Sequence, residues 1–216
     1  MNEGAILVDI KEFKGRGEIG QNEFKVLLTE LKADLNTYLA TTPPSVTTRT
    51  LADVIAFNKA NEAVEMPLFG QDIFEQAEAT KGLDDPEYRK ARETSLRLAG
   101  AEGIDKLLKE HNVVALVGPT MAPGWLIDSV LGDQYPGGGA GGLAAVAGYP
   151  HLTVPMGTVR GMPVGLSFIG PKWSDALILS LGFDYEQASQ KRVEPRFLPS
   201  IEGTAEVRRA FRPQPR

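Results

Sequence analysis

The chain holds two imidazoles, His111 and His151, and no cysteine. A conventional Ser-His-Asp triad would therefore have to use one of these histidines. Neither is placed for that in the sequence. His111 falls in the last turn of an expected helix, where a cation complements the helix dipole, and His151 opens an expected buried strand. Ser167 lies in Gly165-Leu166-Ser167-Phe168-Ile169, a near miss to the G-x-S-x-G nucleophile elbow because Ile169 stands where glycine is required. It reads as a sheet residue. Without thiolates or clustered carboxylates, no metal site is expected. Gly137, Gly139 and Gly142 meet the G-x-G-x-x-G spacing that brings backbone amides to a dinucleotide pyrophosphate. No expected strand precedes them, however, and Met162 occupies the place of the acidic ribose partner. They read as a close-approach loop, and no cofactor is expected.

Two segments have the residue types of a binding wall. Phe69-Gly70-Gln71-Asp72 sets an amide side chain at a helix start, where it presents to a ligand or satisfies the loop's own backbone, the second reading being preferred. Pro119 and Thr120, followed by Ala122, Pro123 and Trp125, sit at the C-terminal end of an expected strand, where ligands bind in open α/β sheets. The alternative there is a buried loop around a packed indole.

These groups need elements to position them. Residues 113–117 form an apolar run too short for a helix and read as a strand buried on both faces. Residues 151–154, stopped by Pro155, and residues 164–169, between Pro163 and Gly170, read as two more strands, with Arg160-Gly161 as the turn. A further strand is expected at residues 4–10, followed by a polar, glycine-bearing link over 11–20. Apolar positions from Phe24 to Leu39 recur at helical spacing over residues 22–40, and Pro43-Pro44 ends that helix. Thr50, with Asp53 three residues on, caps a helix reaching about residue 61. Helices are also expected at 71–80, from Asp85-Pro86 to His111, and at 174–190. The glycines of the 86–111 helix each cost about 1 kcal/mol against alanine, so close packing must compensate them. Helices alternating with buried strands give an α/β fold, here a mixed sheet flanked by helices. One domain is expected over residues 1–191, followed by a loosely ordered tail over 192–216 rich in proline and arginine.

Composition narrows the partners. A chain of 216 residues can bury one sizeable core, and a net charge of −5 with scattered lysines argues against a nucleic-acid surface. No apolar stretch reaches membrane-spanning length, no signal-peptide pattern opens the chain, and zero cysteines fit a cytoplasmic location.

Taken together, Gly148-Tyr149-Pro150 and the strand to Pro155, Pro163-Val164-Gly165-Leu166 and the strand to Gly170, Pro119-Thr120 before them and Ser174-Asp175 after resemble the C-terminal half of the amidase-signature family. The resemblance extends over nearly the whole chain through residues 4–10, the 24–39 helix, Phe57-Asn58 and Phe69-Gly70-Gln71. It implies a carboxamide hydrolase whose Ser, cis-Ser and Lys triad sits in the N-terminal half, within a Gly/Ser-rich stretch absent from this sequence. The Gly137 to Gly142 cluster resembles the glycine cradle of an amidase nucleophile in outline but holds no serine. No catalytic residue carries over. The resemblance implies only a substrate-wall role for Phe69, Gln71, Pro119, Thr120 and Trp125. Departures are Asn112-Val113-Val114, where many relatives place an acidic residue, and the near-polyglycine cluster.

Three accounts follow. The first is a C-terminal portion of an amidase, inert alone, whose partner is the missing N-terminal half or a second copy, and whose complete form acts on a small amide. The second is a stand-alone binding or assembly domain of the same fold. The third is an unrelated small α/β enzyme.

Overall fold

The computed structural model describes residues 4–11, 13, 15–125, 128, 130–195, 197 and 205. The chain divides into two compact units, Lys11–Gly103 and Met1–Ile10 with Ile104–Arg216. Most of the expected tail over 192–216 lies outside the described residues.

The Lys11–Gly103 unit is helical. Its helices are α1 (Arg16–Ala40), α2 (Leu51–Ala60), α3 (Glu62–Glu65), α4 (Asp72–Glu78) and α5 (Pro86–Ala99). α1 begins earlier than the spacing of its apolar residues predicts, because the glycines and charges of residues 15–20 form its exposed first turns rather than a link. It packs against α4 and α5. Tyr88 of α5 donates from its hydroxyl to the Glu30 carboxylate of α1 at 2.6 Å. Burial, and then Glu30, push that phenol above its usual range. Just past α1 the Arg49 guanidinium donates to the oxygens of Leu39, Thr42 and Pro43 at 3.1, 2.8 and 2.8 Å, tying down the segment that leads to α2. Thr50 then caps α2 as expected: its hydroxyl accepts the Asp53 amide at 3.1 Å, and the Asp53 carboxylate accepts the Thr50 amide at 2.9 Å.

The helix expected from Asp85-Pro86 to His111 is present but carries one wide turn. α5 gives way to a π-helical turn at Gly100–Ile104 and resumes as α6 (Asp105–His111). Glycine is required inside that turn, since a Cβ on Gly103 would stand 2.6 Å from the Leu98 carbonyl oxygen.

The second unit contains β1 (Leu116–Pro119), α7 (Gly141–Ala147), β2 (His151–Val159), β3 (Met162–Ile169) and α8 (Asp175–Ser189). The three strands form one antiparallel sheet in the order β1-β3-β2. Arg160 and Gly161, with φ of 51° and 83°, make the two-residue turn that joins β2 to β3. On one face Ile169 and Leu116 pack with Leu108 of α6 and Ala144 of α7. On the other, Val154, Phe168 and Leu152 pack with Ile178, Leu181 and Tyr185 of α8. This is an α/β arrangement, a small antiparallel sheet between helices.

Four local expectations change. β1 starts three residues later than the apolar run and alternates half-buried with exposed positions, because it is an edge strand rather than a central one. β2 runs through Pro155, which an edge strand tolerates. α7 follows the glycine cluster directly, a helix that Gly141 and Gly142 disguise in the sequence. Residues 4–10 form no strand: Ile6 is 88% exposed, and a lone apolar run has no ladder to join. No helix among the described residues is long and apolar enough to cross a membrane.

Candidate functional site

The α7-facing side of the sheet carries a polar cluster that joins three strand ends. Ser167 of β3 is wholly buried. Its hydroxyl lies 2.6 Å from His151 Nε2 and donates to the Thr120 hydroxyl at 2.9 Å. Thr120 Oγ1 in turn lies 2.6 Å from Thr153 Oγ1. Thr120 is held just beyond β1 by its amide, which donates to the Gly165 carbonyl at 2.8 Å, and by its own carbonyl, which accepts from Ala140 at 3.3 Å.

Glycines make the room. A Cβ on Gly165 would stand 2.8 Å from Thr120 Oγ1 and closer still to Thr153 Oγ1. One on Gly141 would stand 3.1 Å from the His151 ring, and one on Gly139, whose φ of 140° already favours glycine, would stand 3.0 Å from the Thr120 carbonyl oxygen. The close-approach loop read from the sequence is thus a loop that approaches Thr120 and leads into the helix beneath His151.

His151 and Ser167 were each dismissed on sequence grounds, yet they are partners. Ser167 pairs directly with Thr153, and His151 pairs with Ile169, so the two meet diagonally on one face. Val159 pairs with Met162 at the turn, but Pro155 pairs with Gly165 and Gly157 with Val164, leaving Met156 without a partner. That bulge decides the face. A serine and a histidine at 2.6 Å have the spacing of a nucleophile and its base, but the rest of the arrangement is not that of a hydrolase. Ser167 Oγ is shielded, its proton goes to Thr120, and no carboxylate of the described residues orients the imidazole. Among the described residues no three His, Cys, Asp or Glu side chains are grouped to hold a metal.

The five expected wall residues divide between the units. Pro119 ends β1, and Thr120 belongs to the polar cluster. Trp125 is 37% exposed and lies against Tyr135 with ring centroids 5.0 Å apart at 53°, while the Tyr135 hydroxyl donates to the Gly138 carbonyl at 3.2 Å. In the helical unit, Phe69 and Gln71 line a cavity of about 300 Å³ with Asn58, Met66 and Phe74. Gln71 is occupied internally: its Nε2 donates to the Ile55 carbonyl at 3.2 Å and its Oε1 accepts from Asn58 at 3.0 Å. Phe69 is 80% exposed and free to meet a ligand.

No family model matches the chain. A probable amidase of Arabidopsis thaliana is 33% identical over 204 residues, covering 91% of this chain and 36% of that protein. The crystal structure of the native peptide amidase from Stenotrophomonas maltophilia aligns with a TM-score of 0.75 at 43% identity, over 87% of this chain and 37% of its own. An amidase family protein from Bacillus anthracis aligns with a TM-score of 0.72 at 29% identity, over 91% of this chain and 34% of its own. The chain therefore spans little more than a third of each of these three proteins. That coverage fits a C-terminal portion of an amidase-signature protein.

Proposed function

We propose that this chain is the C-terminal portion of a carboxamide hydrolase, supplying sheet and pocket wall while the Ser, cis-Ser and Lys groups come from a segment outside this sequence. The observation that carries the reading is partial coverage at high likeness: 43% identity to a peptide amidase over only 37% of its length. The geometry supports it, because Ser167, the one serine here beside a histidine, is shielded and its proton is already engaged. In this reading residues 1–191 work as one domain, its partner is the remaining amidase segment, and its substrate is a small amide. Phe69, Gln71, Pro119, Thr120 and Trp125 contribute to the wall, with Gln71 holding Asn58 and the Ile55 carbonyl in place rather than touching substrate. Zero cysteines favour a reducing compartment, and we place the chain in the cytoplasm.

The test is complementation. The purified chain is expected to release no ammonia from peptide amides, and to support release when expressed with the remaining segment of a homologous peptide amidase. Turnover by the chain alone that disappears in Ser167→Ala would overturn the reading.

A further inference from the structure

The polar cluster has more protons than internal acceptors. Three hydrogen bonds join four groups: His151 Nε2 to Ser167 Oγ, Ser167 to Thr120, and Thr120 with Thr153. Ser167 has one hydroxyl proton and gives it to Thr120. The 2.6 Å bond to His151 must then use a proton on Nε2, with Ser167 accepting. The third bond takes the proton of one threonine. The proton of the other threonine is left over, and no acceptor for it exists among the described residues.

That leftover proton is not sealed in. Thr153 is exposed on the edge strand β2, and Thr120 is half-buried beside it. Each group in the run donates towards the threonines, so each polarises the next and strengthens the final donor. Gly165 keeps the space in which the two threonine hydroxyls meet, and Gly141 keeps the space in which the imidazole lies flat enough to reach Ser167. A site that ends in a surplus O–H, with no charged side chain at hydrogen-bond distance, is matched to an acceptor oxygen rather than to a cation or a donor.

We propose that the Thr120 and Thr153 hydroxyls form a ligand site that donates one hydrogen bond to a carbonyl or carboxylate oxygen, and that His151 is a positioning residue that fixes the direction of this donation through Ser167. The site itself rests on the proton count. Only the preference for an amide carbonyl over a carboxylate rests on the proposed amidase reading. The alternative tautomer, with the neutral imidazole protonated at Nδ1, would make Nε2 an acceptor from Ser167 and reverse the run, so that all three hydroxyl protons are used within the cluster and none is left to spare.

Nuclear magnetic resonance of the intact chain tests both halves. The imidazole nitrogens of His151 are expected to report the Nε2-protonated tautomer, and Ser167→Ala is expected to release that preference while the rest of the spectrum is retained. Acetamide and acetate serve as probes. Either should shift the backbone amide signals of Thr120 and Thr153 in a saturable way. The double variant Thr120→Val, Thr153→Val keeps shape but removes the hydroxyls, and should bind the same probe about tenfold more weakly. Thr120→Ser with Thr153→Ser should restore it. Acetamide binding alone supports the site with an amide preference, and acetate binding alone supports the site while removing the amide preference. An Nδ1-protonated His151, or no saturable shift with either probe, overturns the proposal. Complementation of amidase activity is read separately, so failure of the amidase reading and failure of this site are distinguishable.

Discussion

His151 and Ser167 share a face of the β2–β3 hairpin because Met156, between them in the sequence, has no partner on β3. Counting back from the Arg160-Gly161 turn without that bulge would pair Ser167 with Val154 and send His151 to the face that packs on α8. Gly157, next to the bulge, has a φ of 139°, where an L side chain is strained. Gly157→Ala should therefore destabilise the chain by about 1–3 kcal/mol in urea unfolding. Deleting Met156 leaves every remaining pair matched, so that variant should keep the His151 imidazole bonded to Ser167. Loss of the contact in the deletion would show that the bulge does more than set the face.

The N-terminus of α2 offers a test with a defined sign in pH. Thr50→Ala removes the hydroxyl that accepts the Asp53 amide, and should cost about 1 kcal/mol of stability. The Asp53 carboxyl is held below its ordinary value of 3.8, first by the Arg49 amide and then by Thr50. A carboxyl with a lowered folded-state pKa stabilises above the unfolded value and loses that contribution as pH falls through the folded one. The stability gap between the native chain and Asp53→Asn should thus be constant near neutrality and close in acid below about 3.8, as urea midpoints over pH will show.

Tyr149 behaves in the opposite sense. Burial, and then its hydrogen bond of 2.7 Å to the Asp105 carboxylate, raise its phenol above the ordinary value of 10.0. The folded form holds the proton more tightly, so its contribution is full below pH 10 and is lost as pH climbs through the raised folded-state value. Phenolate absorbance should show two tyrosines titrating late in the native chain, Tyr88 and Tyr149, and one fewer in Tyr149→Phe, a variant expected to lose about 1 kcal/mol.

Association is the fourth expectation. Leu179 and Phe183, one helical turn apart on α8, are 60% and 61% exposed, although the opposite side of that helix already covers the sheet. An uncovered apolar stripe of this kind marks an interface. The chain alone should sediment as an oligomer at micromolar concentration, and Leu179→Lys with Phe183→Lys should return it to a monomer. A strictly monomeric native chain would favour the stand-alone domain.

What the sequence disclosed was local. Thr50 with Asp53, Asp85 with Pro86, and Arg160 with Gly161 act on their own neighbourhoods, and each does what its residue types require. The three strands and α8 were legible because short apolar runs need cover on both faces. The polar cluster was not, since the partnership of His151 with Ser167 depends on one unpaired residue that no periodicity reveals. β1 was displaced because its apolar run includes Val113 and Ala115, which pack beneath the strand's start rather than pairing within it. The sequence favours internal satisfaction for Gln71 but does not name its partners, the Ile55 carbonyl and Asn58 of α2.

The wide turn at Gly100–Ile104 places two glycines inside a run of helix. Buried positions run Tyr88, Ala91, Ser95 and Ala99 along α5 at helical steps, and continue through Gly100 and Gly103 in the turn to Ile104 and Leu108. A π-helical turn takes up one residue more than an α-helical one, and here the small buried positions are the two glycines of the turn. The width of the turn therefore rests on glycine, because any side chain at position 103 would press on the Leu98 carbonyl oxygen.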